Sequence, residues 1–193
     1  MILVINVLAV SSIEIECEFL LGSSWDDVVK TPYRCYVLSV SKADETRITG
    51  ISGTHIDGRS NSDVNVFDWQ YNPVGYVPSN IDAFFPNIES VLFFKTQLTS
   101  ISEKDLNQFP NVKSLYMDSN NLSILEDDLF NGTPNLRIVN FGSNPLNNIS
   151  NKLIHDLDKL ERALFLNAGC LSFEAWTPAQ LKELRKVIVK KCH

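Results

Sequence analysis

Apolar positions recur along most of the chain at a fixed interval, and that interval predicts the structural elements. Stretches beginning at Val64, Ile88, Val112, Leu136 and Leu160 align beneath one another at 24-residue steps without a gap. Three residues into each unit stand Phe67, Val91, Leu115, Val139 and Ala163, and five residues in stand Trp69, Phe93, Met117, Phe141 and Phe165. Ten residues in are Val74, Leu98, Leu122, Leu146 and Cys170, and thirteen in are Val77, Ile101, Leu125, Ile149 and Phe173. Self-similarity of this kind marks an array of stacked units, none of which can bury its apolar face alone. The alternation early in each unit predicts a short strand. Its third and fifth residues point inward, and its second, fourth, sixth and seventh point outward. Eight residues in come Asn72, Thr96, Asn120, Asn144 and Ala168. An asparagine amide turned inward there can serve backbone groups that a tightly wound coil leaves unpaired. Phe85-Pro86-Asn87, Phe109-Pro110-Asn111 and Thr133-Pro134-Asn135 return the chain toward the next strand.

This pattern, L-x-x-L-x-L-x-x-N-x-L, resembles the typical 24-residue leucine-rich repeats over about residues 64–183. The resemblance implies an α/β fold, a leucine-rich-repeat solenoid shaped as a short curved horseshoe, with parallel strands on its concave face. Residues 12–63 then form an N-terminal cap, 64–169 the repeats, and 170–193 a C-terminal cap with a helix. A solenoid needs its end layers covered. The four cysteines fall in those regions, Cys17 and Cys35 before the repeats, Cys170 and Cys192 at their close. Three pairings are possible. Local pairing, Cys17–Cys35 and Cys170–Cys192, is the one compatible with a long rigid array between them. Thr177-Pro178 reads as a helix start. Leu181, Leu184, Ile188 and Cys192 then share one helical face. Tyr33–Val40 and Arg47–Ser52 read as strands that, with Phe19 and Trp25, form a small antiparallel lid over the first repeat. The Cys–Trp–Tyr–Cys opening and the run from Gly53 to Val64 resemble the cysteine-capped secreted leucine-rich-repeat proteins of dipteran insects. That likeness sharpens the architecture and carries no defined activity.

Charge narrows the partners. The 193 residues carry a net charge of −6, with lysine and arginine scattered until the last dozen residues. Nucleic acid, which needs a clustered basic face, is not an expected partner. Residues 1–11, MILVINVLAVS, form an apolar run ending in small residues, with Ala9 and Ser11 placed for cleavage before Ser12. A signal peptide is the expectation, with a buried N-terminal strand as the alternative. The run is too short to span a bilayer. The tail Lys190-Lys191-Cys192-His193 carries no hydrophobic anchor, so a secreted, extracellular protein without membrane insertion is expected. Three glycosylation triplets begin at Asn121, Asn131 and Asn148, off the strand face.

Candidate chemistry is sparse. Gly50-Ile51-Ser52-Gly53 falls short of a nucleophile elbow, and the nearby glycines lack the Gly-Lys-Ser/Thr ending of a phosphate loop. His55, His155 and His193 are too dispersed for a zinc site, and Glu126-Asp127-Asp128 reads as a solvated turn. Neither catalysis, cofactor nor metal is expected. The outward strand positions say more. The fourth row is Asp68, Leu92, Tyr116, Asn140 and Leu164, and the sixth is Gln70, Phe94, Asp118, Gly142 and Leu166. Apolar residues at water-facing strand positions mark a binding face. Leu92, Phe94 and Tyr116, flanked by Tyr71, Lys95 and Asp118, are the central candidate, with Leu164 and Leu166 as a second cluster. A protein or peptide ligand on the concave face is the expected partner. Cover by the lid or a glycan is the plainer alternative, as is self-association within an extracellular matrix or coat. Serine at Phe94 and Tyr116 is expected to abolish binding while leaving the melting temperature close to its original value.

Overall fold

A computed structural model describes residues 13–22, 27–41 and 46–192. The signal-peptide expectation, Trp25 and His193 fall outside these residues. Among the described residues nine strands form one sheet. It runs from a terminal hairpin, β10 (Arg162–Ala168) and β11 (Leu171–Ala175), through β8 (Ile138–Asn140), β6 (Ser114–Tyr116), β5 (Ser90–Phe94) and β4 (Val66–Gln70). It ends on β2 (Tyr33–Val40), β1 (Ile13–Leu21) and β3 (Ile48–Ser52). The repeat strands are parallel and in 24-residue register, with Val66, Ser90, Ser114, Ile138 and Arg162 side by side. Two further short strands, β7 (Ile124–Leu125) and β9 (Asn148–Ile149), pair separately, and a one-turn helix, α1 (Glu103–Leu106), lies between β5 and β6.

The inward rows make the core. Phe67, Val91, Leu115, Val139 and Ala163 are fully buried, as are Trp69, Phe93, Met117, Phe141 and Phe165. The second row is an aromatic spine: Trp69 stacks on Phe93 and Phe141 on Phe165, each at 5.9 Å. Met117 occupies the same row between the two pairs, an adaptable apolar filler. Each such side chain contributes roughly 1.5–3 kcal/mol by leaving water, and most of that burial is against the neighbouring unit.

Short strands bend back at once, and two devices make the bend possible. Seven residues into every unit the backbone is left-handed, at Tyr71, Lys95, Ser119, Ser143 and Asn167, with φ between 54° and 59°. No glycine stands at any of these positions, so packing of the whole array holds a conformation that disfavours a side chain. The asparagine in the next position satisfies the backbone the bend exposes. Asn120 Oδ1 accepts from the Thr96 and Leu98 amides at 2.9 and 3.2 Å. Its Nδ2 donates to the Phe93 and Met117 carbonyls at 2.7 and 3.0 Å. Asn144 repeats the arrangement one unit on, bonding Leu122, Met117 and Phe141.

The N-terminal cap extends the repeat sheet instead of forming a separate lid. β2 pairs parallel to β4, β1 pairs antiparallel to β2, and β3 lies parallel to β1. Strand β1 was not among the strands expected, although Ile13, Ile15, Cys17 and Phe19 are buried and alternate with exposed glutamates at 14, 16 and 18. Cys17–Cys35 joins β1 to β2 across a Cα–Cα distance of 5.1 Å. His55 ties the cap together internally, bonding the Tyr33 hydroxyl and Asn61 Oδ1 at 2.8 Å each while its ring stacks on Phe19.

At the other end the fifth unit reverses. Gly169 (φ 57°) turns the chain into β11, and a Cβ there would lie 2.0 Å from the Leu146 carbonyl oxygen. Phe173, expected in the core, is therefore half-buried in an antiparallel hairpin opposite Phe165. Helix α2 (Pro178–Lys191) starts at Thr177, whose hydroxyl accepts from the Gln180 amide, and buries Leu181, Leu184 and Ile188. Cys170–Cys192 ties its last turn to the final repeat, 5.4 Å between Cα atoms.

Candidate functional site

The outward rows of the strands form the concave face, and the chain itself covers part of it. The segment leading into β2 reaches across four repeats. Val28 (4% exposed) packs in an apolar cluster with Leu92, Tyr116 and Ile138. The Asp27 carboxylate accepts a hydrogen bond from the Arg162 guanidinium, 135 residues away on β10. That guanidinium holds Asp27 below the usual carboxylate range. Beneath this strap the second row, Val66, Ser90, Ser114 and Ile138, is shielded from solvent, with Ser114 Oγ bonded to Ser90 Oγ at 3.0 Å.

Leu92 and Tyr116 are accordingly 6% and 8% exposed, where the strand pattern leads one to expect open surface. The reason is a contact between distant segments, which strand periodicity does not encode. Serine at Tyr116 would now remove buried apolar area, so Tyr116 no longer separates binding from stability. Tyr71 (59% exposed) and the half-buried Phe94 remain accessible.

What the strap leaves open is a hollow of about 360 Å³. Tyr71, Leu92, Phe94 and Tyr116 give it an apolar wall, and Gln70, Asp118 and Asn140 give it a polar one. The structure thus brings together five of the eight residues singled out by sequence. Lys95 stands just outside, its Nζ 5.0 Å from the Phe94 ring centre and 5.4 Å from that of Tyr71. The two rings meet edge to face at 5.3 Å. Leu164 is half-buried and Leu166 is 50% exposed on β10, and neither lines the hollow. Gln70 and Asn140 were not singled out, although both lie in the outward rows.

The two carboxylates of this region differ in their partners. Asp68 is buried and neutralised by Arg34 Nη1 at 3.2 Å, and also accepts from Gln70 Nε2 at 2.8 Å. Asp118 accepts from Asn140 Nδ2 at 3.2 Å and has no ion pair among the described residues. Burial pushes the Asp118 carboxyl above the ordinary aspartate value, while a backbone hydrogen bond and the Lys95 charge oppose that shift.

Elsewhere the surface reads as scaffold. Glu126, Asp127 and Asp128 are exposed, and Asp127 pairs with Lys152 and Ser150. Among the described residues no three His, Cys, Asp or Glu side chains converge on a point, and no helix is long and apolar enough to cross a membrane.

The family model described as Leucine rich repeat matches residues 110–167, the third and fourth units and the start of the fifth. The fold is a leucine-rich-repeat solenoid. Among solved structures, it resembles a chain of the Drosophila Toll–Spatzle complex, described as a molecular hub in development and innate immunity. The identity is 15% and the TM-score 0.52, covering 62% of this chain and 17% of that one. The glycosylated form of the same complex gives 16% identity, a TM-score of 0.51, and coverage of 58% and 15%. The APL1 leucine-rich repeat domain aligns with 79% of this chain and 42% of its own, at 13% identity and a TM-score of 0.48. No curated protein matches the chain. This leucine-rich-repeat chain spans less than a fifth of the matched Toll-complex chains, and identities this low speak to the fold alone.

Proposed function

We propose that this leucine-rich-repeat protein is an extracellular, non-catalytic recognition module that holds a protein or peptide ligand in the open part of its concave face. One observation carries the reading: Tyr71 and Phe94 present aromatic surface to solvent beside a half-buried carboxylate, in the hollow the strap leaves open. The fold does not require an aromatic residue at Tyr71. Ser119 and Ser143 occupy the same left-handed position as Tyr71 two and three units on, so the bend forms equally well around a small polar residue. Exposed aromatic groups beside polar partners are the usual anchors of protein interfaces. Two disulfides support an oxidising compartment, where such bonds persist. Toll and Spatzle form a complex with each other, and the fold shared with that complex is compatible with partner binding here.

Tyr71→Ser is the decisive substitution. It should shift stability by no more than about 0.5 kcal/mol, as for other exposed sites. Binding to a partner drawn from a panel of secreted and cell-surface proteins should weaken by about tenfold or more. A partner that binds wild type and variant alike would place recognition elsewhere on the surface.

Secretion has its own test. Protein recovered from insect-cell medium should lack about a dozen N-terminal residues and gain two hydrogens per disulfide on reduction. Asn121, Asn131 and Asn148 are all exposed, so glycan on one or more should appear as mass lost on deglycosylation. Retention inside the cell with four free thiols would overturn the extracellular reading.

A further inference from the structure

The hollow has a chemical preference, and its one unpaired acid reveals it. Of the two carboxylates on this face, Asp68 already has its guanidinium, contributed by Arg34 of the neighbouring cap strand. Asp118, one row further out, has the Asn140 amide, a backbone hydrogen bond and the Lys95 charge nearby, but no ion pair among the described residues. A half-buried carboxylate without an ion-pair partner in contact has lost hydration that these groups replace only in part. Lining the same hollow are the rings of Phe94, Tyr71 and Tyr116, whose π faces attract positive charge. The chain itself shows that these rings accept a cation: Lys95 Nζ lies over both Phe94 and Tyr71, held at the rim without an ion pair to any carboxylate among the described residues.

We propose that the hollow walled by Tyr71, Phe94, Tyr116 and Asp118 receives a cationic side chain, a guanidinium or ammonium group, from an extended segment of a partner protein. This rests on the recognition reading above and names what is recognised. The incoming cation pairs with Asp118 and stacks against Phe94 and Tyr116. Asn140 steadies the carboxylate that receives it. Lys95 acts as a resident competitor, sharing the Phe94 face and repelling a second positive charge. Specificity then comes from the carboxylate, which an uncharged side chain of the same shape cannot satisfy.

The sign of the Lys95 effect separates this from the opposite preference. The probe is the peptide Gly-Gly-Arg-Gly-Gly with blocked ends, titrated into the full-length disulfide-bonded protein and followed by NMR. Citrulline and glutamate counterparts serve as neutral and anionic controls. The arginine peptide should bind about tenfold more tightly than the citrulline one, and Asp118→Asn should remove that difference. Lys95→Ser should strengthen arginine binding several-fold, and serine is already accommodated at the equivalent left-handed positions 119 and 143. Thermal melts of both variants check that the fold is intact. Equal binding of arginine and citrulline, or weaker arginine binding in Lys95→Ser, overturns the proposal. Glutamate binding lost in Lys95→Ser would show an anion site instead. If no peptide binds while a protein partner still depends on Tyr71, the cation assignment fails and the recognition reading stands.

Discussion

Asn120→Ala should destabilise the protein by about 4 kcal/mol, a large share of a total stability that ordinarily lies at about 5–15 kcal/mol. The side chain is 5% exposed and serves backbone groups of two units at once. Alanine leaves the Thr96 and Leu98 amides and the Phe93 carbonyl without this partner, and each buried orphan costs about 1–3 kcal/mol. The Met117 carbonyl is spared, because Asn144 Nδ2 also donates to it at 2.9 Å. Asn72 offers a graded control. It is half-buried and makes two bonds, to Val37 and Leu38 of the cap, so Asn72→Ala should cost about 1 kcal/mol. Urea unfolding of the three proteins reads this directly. A loss below about 1 kcal/mol at Asn120 would mean that water takes over its bonds and that the asparagine row does not brace the coil.

Serine at both Cys170 and Cys192 should cost about 3 kcal/mol, and the loss should be concentrated at one end of the molecule. The bond closes a loop with a sequence separation of 22, for which release of the unfolded chain alone accounts for roughly that amount. The local consequence follows from what the bond secures. Helix α2 covers the last layer of the array through Leu181, Leu184 and Ile188, and the Cys192 carbonyl accepts from the Ile149 amide at 3.2 Å. Without the tether this end frays first, because a 14-residue helix is marginal away from its packing surface. Hydrogen exchange should therefore rise in β11 and α2 well before it rises in β4 to β6. Uniform acceleration would mean that the array unfolds as one cooperative unit with no weaker end. The corresponding change at Cys17 and Cys35 removes a bond between strands that already pair in the sheet, so its effect should be less local.

How much was legible in the chain depended on the distance over which each feature is specified. The inward rows, the asparagine row, the turn positions and the start of α2 are set by residues within one unit or its neighbour. Repetition at 24 residues states those contacts five times over, which is why Phe67, Trp69 and their equivalents could be placed in the core. The cysteine pairs followed from the stiffness of the array between them. The alternation of Ile13, Ile15, Cys17 and Phe19 lies outside the repeat and was passed over, and whether the cap formed a lid or a sheet edge depended on what β2 could pair with.

Tertiary structure alone decided the character of the concave face. Leu92 and Tyr116 bear the same outward register as Leu164, but Val28 lies over the first two and leaves the third half-buried. That contact joins positions more than sixty residues apart, and the Asp27–Arg162 pair joins positions 135 apart, with no repeat to announce either. It also decided which acid kept a partner, since Arg34 reaches Asp68 only because β2 docks against β4. The sequence determined the solenoid, because nearest-neighbour packing is periodic and periodicity is visible in a string of residues. The strap determined which part of the face stays open, because a single contact between distant segments leaves no pattern along the chain.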